Sequence, residues 1–178
     1  MILTLSMLLA IWLIAGTWLL GRRSSDYHPA LQTISELGAS GASHEYQARL
    51  ILFLPTGLMA ALIATLLLNH DRPSAAALGL SIAIGYLSAA AFPVDRGVPL
   101  RGTRANQWHN IGGLIMYLGG ALSLFAAWPR GYGFAVAGVV ALIGLVGLTP
   151  LVRLHARGRL QRLMETAFLA ALIAHSIL

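Results

Sequence analysis

The chain has 178 residues, 57% of them hydrophobic and only 10% charged, with a mean hydropathy of +0.75. A soluble globule carries about 25% charged residues, so a water-clothed domain is excluded, and the length excludes two domains of ordinary size. There are no cysteines, which excludes disulfides, thiolate metal centres and a cysteine nucleophile, and the net charge of +6 rests on twelve basic residues, all arginine, lying between apolar runs.

The first apolar run, 2–20, exceeds the usual ~7–15 residues of a signal peptide core, and Arg22 and Arg23 follow it instead of preceding it. It is expected to stay as a membrane helix. The loop after it reads Tyr27-His28-Pro29-Ala30-Leu31-Gln32-Thr33-Ile34-Ser35-Glu36-Leu37-Gly38. Pro29 suits a first helical turn and Gly38 a C-terminal cap, so a short interfacial helix is predicted between them. Leu31, Ile34 and Leu37 would form its apolar face, with Ser35 and Glu36 beside it toward the bundle.

The second run, 48–69, contains Pro55-Thr56-Gly57. Proline removes an intrahelical hydrogen bond and bends the helix; Thr56 or a water is expected to serve the freed carbonyl. The third run, 74–92, repeats Ser81, Gly85 and Ala89 at every fourth position, a stripe that lets another backbone approach, within the chain or from a second copy. Phe92-Pro93-Val94-Asp95-Arg96 then opens a loop that closes on Asn106-Gln107-Trp108-His109-Asn110. The fourth run, 109–128, carries Gly112–Gly113 and Gly119–Gly120 one heptad apart, and the fifth, 132–152, carries Gly138, Gly144 and Gly147. A last loop holds Arg153, His155, Arg157, Arg159 and Arg162 before the sixth run, 160–178. In that run Glu165 is an acid at membrane depth, costly unless paired or facing a polar cavity, and Arg162 is its nearest candidate partner. Trp12, Trp18, Trp108 and Trp128 lie mostly toward run ends, where aromatic belts anchor helices.

Six runs near the ~20 residues that span a bilayer predict an all-α, polytopic bundle, a single transmembrane domain over 1–178. If the runs alternate across the membrane, Arg22, Arg23, Arg49, Arg96, Arg101, Arg104, Arg153, Arg157, Arg159 and Arg162 share one face, leaving only Arg72 and Arg130 opposite. By the positive-inside rule that face is cytoplasmic. In a bacterial inner membrane both termini then lie in the periplasm.

The segments Ser35-Glu36-Leu37-Gly38, Phe92-Pro93-Val94-Asp95, His109 and Gly158-Arg159-Leu160-Gln161-Arg162 occur in one order across the whole chain. This pattern resembles the bacterial membrane family catalogued as domain of unknown function number 998. The resemblance implies a six-helix membrane protein with a polar cluster on one side, and no activity.

Three readings fit the cluster Ser35, Glu36, Asp95, His109 and Glu165. In one, the face binds a lipid headgroup or small anionic ligand, with Arg49 and Arg162 as the best anion-binding arginines because each opens a helix near an acid. In another, the chain is an accessory subunit packed among other membrane subunits, and the acids serve as caps and ion pairs. In the third, the carboxylates and His109, with His28, His44 and His155 in reserve, support metal-dependent or acid–base hydrolysis of a lipid. That arrangement loosely resembles intramembrane hydrolases of the alkaline ceramidase type, but their histidine pair four apart on one helix has no counterpart here. His70 and His175 near the opposite helix ends are candidate haem ligands, at ends where a haem would be poorly buried. Transport has one broken helix and no internal repeat in its favour. The bilayer is the partner the sequence requires; nucleic acid has no soluble basic segment to hold it. No metal ligand set is assigned, and no cofactor follows from the residues.

Overall fold

A computed structural model describes residues 1–149 and 156–177 of the chain. Arg153 and His155, named above on the last basic loop, lie outside the described residues, as does the end of the predicted fifth run.

The six runs become six helices: α1 (Ile2–Arg23), α2 (Glu45–Asn69), α3 (Pro73–Ala91), α4 (Arg104–Ala126), α5 (Tyr132–Leu148) and α6 (Arg157–Ile177). Four of them, α1 to α4, are long and apolar enough to cross a membrane, while α5 is apolar but only 17 residues long. The described residues contain no strand, and the chain is an all-α membrane bundle. Each helix packs on the next in chain order, α6 closes back onto α1, and α3 also touches α6 across the ring.

Helix ends are set by local chemistry. The Ser24 N–H and hydroxyl both donate to the Leu20 carbonyl, at 3.0 and 2.8 Å, and stop α1. Asp71 takes a left-handed turn (φ 54°) between α2 and α3, a conformation that Asp tolerates better than most residues, and Pro73 then opens α3. The fourth helix begins at Arg104, five residues before the predicted 109, because the Thr103 hydroxyl accepts from the Asn106 N–H at 3.2 Å. His109 is therefore inside the helix and not at its opening.

The short helix of the first loop is a 3-10 turn over Ile34–Gly38, beginning five residues later than Pro29. The Thr33 backbone N–H donates to the Glu36 carboxylate at 2.8 Å, half of a capping box that starts the helix there. Ile34 and Leu37 are buried as expected, but Leu31 falls outside the helix and is exposed.

Pro55 is accommodated upstream. Within α2 the stretch Ala48–Phe53 is π-helical, and the regular helix resumes at Leu54 with proline in its first turn. Thr56 donates its hydroxyl to the Leu52 carbonyl at 2.7 Å. Such π turns absorb an interruption in the i→i−4 ladder.

The glycines are consumed inside the bundle. Added β-carbons at Gly85, Gly112 and Gly119 would strike Met116, Ser88 and Ser81, so α3 and α4 meet along the Ser81–Gly85 stripe. Gly120 faces Phe168 and Gly144 faces Met164 in the same manner. Close van der Waals contact of this kind holds helices together where lipid removes the hydrophobic drive. Gly113 differs: a β-carbon there would meet nothing within 4 Å.

Candidate functional site

Three segments meet at the arginine-rich end. Arg96 binds Asp26 at 3.0 Å and also the Gly41 carbonyl, and the Ser40 N–H donates to the Val94 carbonyl at 2.9 Å. The Ser43 hydroxyl donates to Asp26 at 2.8 Å and, with Arg96 adding to it, holds that carboxyl below the usual carboxylate range. Arg162 donates to the carbonyls of Pro29 (2.6 Å) and Gln32 (3.3 Å) and to the Tyr27 hydroxyl (2.6 Å). Burial pushes the Tyr27 phenol up, against the pull of Arg162. Gly158 lies flush on the Pro29 and Gln32 carbonyls, a fit that any side chain would break. At the other end, Arg72 donates to the His175 carbonyl and Arg130 to Ser74.

Four of the sequence-derived site residues belong to this lacing. Glu36 accepts from the Thr33 N–H (2.8 Å) and hydroxyl (3.0 Å) within its own loop. Asp95 accepts from the Thr103 N–H at 2.8 Å and hydroxyl at 2.9 Å, fixing the residue that caps α4. Arg49 pairs with Glu45 at 3.0 Å and donates to the Ala90 and Ala91 carbonyls at the end of α3, where cations complement the helix terminus. Arg162 has turned to the first loop and makes no bond to Glu165, its expected partner.

The other three, Ser35, His109 and Glu165, line one cavity of about 410 Å³ inside the ring. Its wall combines the 3-10 turn with α2, α3, α4, α5 and α6. Ile111 and Leu114 line it and are also 45% and 49% exposed, so the cavity reaches the outer, apolar surface of α4.

A directed chain of hydrogen bonds forms the polar floor. The Ile34 N–H can only donate, and it donates to Gln161 Oε1 at 2.5 Å. The Gln161 amide nitrogen must then face Tyr117, whose oxygen accepts from it at 2.9 Å. The Tyr117 proton is left to Glu165 Oε1, also at 2.9 Å. Glu165 is thus the terminal acceptor. It is 4% exposed, and the Tyr86 hydroxyl lies beside the same carboxyl group.

Nearby polar groups are also set by what they already touch. His109 Nδ1 lies 3.0 Å from the Phe92 carbonyl, which only accepts, so Nδ1 carries the proton and a neutral ring leaves Nε2 as an acceptor. Asn110 Nδ2 donates to the Pro99 carbonyl at 2.9 Å, leaving Oδ1. The Tyr86 hydroxyl is buried beside Glu165, short of full hydrogen-bond geometry.

Tyr86, Asn110, Tyr117, Arg157 and Gln161 also line the cavity, although the sequence reading counts none of them among the site residues. Gln161 precedes Glu165 by four positions, the same helical face as Arg162, and a buried tyrosine hydroxyl calls for a partner; those were the available signals. Among the described residues no three His, Asp or Glu side chains converge in a way that could hold a metal ion. His70 is exposed, whereas His175 is buried and stacked on Phe134 at 4.3 Å.

A family model described as "Protein of unknown function (DUF998)" matches residues 7–178. No curated protein and no solved structure matches the chain.

Proposed function

Because the chain belongs to the family of that description, which names no activity, we propose its function from the cavity: it holds an amphiphile, with the polar head on the Gln161–Tyr117–Glu165 floor and the apolar part leaving past Ile111 and Leu114. The observation that carries this reading is the joining of two characters in one space, a hydrogen-bonded floor and an apolar opening on α4. The volume is within the ~300–1,000 Å³ of ordinary ligand pockets. A membrane lipid is the occupant nearest to hand for a cavity that opens on an apolar helix face. An anion held by Arg49 and Arg162 draws no support, since both guanidinium groups are engaged with backbone carbonyls. Catalysis by a bound metal lacks a ligand set among the described residues.

The test is native mass spectrometry on protein released gently from its membranes, beside Gly113→Leu. Gly113 lines the cavity, and an added β-carbon there meets nothing within 4 Å, so leucine is the substitution chosen to fill the space. Wild type should carry a discrete lipid mass and the variant should lose it while melting at a similar temperature. A bare wild type, or equal retention by both, contradicts the proposal.

The reading places the chain as a single transmembrane domain in a bacterial inner membrane, with the arginine-rich end cytoplasmic and both termini periplasmic. The arginine distribution supports that orientation. With no native cysteine to interfere, Ser40→Cys should resist an impermeant thiol reagent in intact cells; labelling from outside reverses the topology.

A further inference from the structure

We propose that a groove between the start of α3 and the end of α4 holds a phospholipid with a net negative head, its phosphate on Arg130 and an acyl chain between the helices. The groove lies at the end remote from the arginine-rich rim and shares no lining residue with the cavity. It is therefore independent of the amphiphile reading above.

Shape comes first. The two helices are in tight contact where a β-carbon on Gly119 would strike Ser81. One turn further out come Ala77 and Ser123, and with Leu122 and Ala126 they line a groove of about 590 Å³. Leu122 is 59% exposed, so the groove opens on the outer, apolar surface. Ser74 and Arg130 form its polar end. Trp128 and Tyr132 are exposed beside that end, with ring centroids 6.2 Å apart. Such aromatic residues mark the headgroup level of a bilayer, which puts the polar end among headgroups and the apolar walls among acyl chains.

Charge names the head. Arg49, Arg96 and Arg162 are spent on carboxylates or backbone carbonyls, and Arg72 donates to the His175 carbonyl. Arg130 is different. It is exposed, and its one side-chain bond among the described residues is to the Ser74 hydroxyl at 3.4 Å, beyond the usual hydrogen-bond range. Asp71 is the one Asp or Glu at this end, and it makes no ion pair among the described residues. The charge of Arg72 and Arg130 is thus left without a carboxylate in contact. A guanidinium fork meets phosphate oxygens in pairs, and Ser74 can donate to a third. A zwitterionic head would bring an ammonium group to a site that offers it no carboxylate, whereas a net negative head matches the charge. The apolar walls at Ala77, Leu122 and Ala126 call for an acyl chain as well, which a lipid supplies.

The experiment follows Trp128 fluorescence in the full chain with Trp12, Trp18 and Trp108, all exposed, replaced by phenylalanine. The protein sits in phosphatidylcholine vesicles that carry either brominated phosphatidylglycerol or brominated phosphatidylcholine, whose bromines quench a tryptophan they touch. The phosphatidylglycerol should quench at about fivefold lower content, the scale of one arginine acting on an anionic head. Arg130→Gln should abolish that preference and Arg130→Lys should keep most of it. Ala126→Leu keeps the arginine but fills the groove, and should weaken quenching by the brominated phosphatidylglycerol. Equal quenching by the two lipids, or a preference that survives Arg130→Gln, overturns the proposal. A preference unchanged in Ala126→Leu overturns it too, because the lipid is then drawn by the arginine alone and not held in the groove. Should the chain with three replaced tryptophans not fold, native mass spectrometry of wild type and Arg130→Gln with added phosphatidylglycerol reads the same difference.

Discussion

Glu36 and Glu165 belong to the same end of the molecule, yet their surroundings differ in kind. Glu36 accepts two hydrogen bonds from Thr33, a neighbour in its own loop, and its role ends with the capping of a single turn. Glu165 is the last acceptor of a chain that starts on the backbone of that loop and crosses α6 and α4 before reaching it. The same division separates the whole rim from the whole floor. On the rim, Arg49, Asp95, Arg96 and Arg162 bind backbone groups or each other's loops. On the floor, Tyr86, Tyr117 and Glu165 bind or abut one another, and His109 keeps Nε2 for a further partner. Polar residues whose bonding is complete build the structure; those left incomplete in a cavity are available to a ligand.

Substitutions on the rim should therefore cost stability and leave lipid retention proportional to folded protein. Arg162→Ala should have the largest effect. It removes donors from two loop carbonyls and the Tyr27 hydroxyl and should lower stability by about 2–3 kcal/mol, read as a lower melting temperature in detergent. Asp95→Ala should follow at about 1–2 kcal/mol, the scale of a lost helix cap, because Thr103 loses the anchor that orients it. Tyr86→Phe, a floor substitution, should change stability by less than about 1 kcal/mol, since its hydroxyl lies beside Glu165 without full hydrogen-bond geometry. A large loss of stability in Tyr86→Phe, or a changed lipid retention in Asp95→Ala at equal folded yield, would break the division between rim and floor.

Hydropathy made the helices legible, because a run of apolar residues near the bilayer thickness admits few other structures. Their ends were less so. The fourth helix starts early because the Thr103 hydroxyl accepts from the Asn106 N–H and Thr103 is steadied by Asp95 from across the loop, and only the first of those contacts is local in sequence. Arg49 was flagged for its nearby acid, and Glu45 is indeed its partner; that it also closes the end of α3 is a tertiary fact. Glu165 was conspicuous as an acid in an apolar run. Its partner was misassigned because Gln161 and Arg162 both sit one turn away, and the choice was made by Tyr117 on another helix. The cavity had no sequence signature, since it depends on Gly113 facing empty space while Gly112 beside it is tightly packed.

The central claim is that an amphiphile occupies the ring interior, and a lipid bearing a photoreactive group in its acyl chain tests it most directly. Met116 lines the cavity but is only 4% exposed, so a lipid on the outer surface does not reach it. After illumination in membranes, the account predicts adducts on Met116 and Leu145, lost in Gly113→Leu. Adducts confined to the outward residues Leu118, Leu122 and Ile143, with none on Met116, would contradict it.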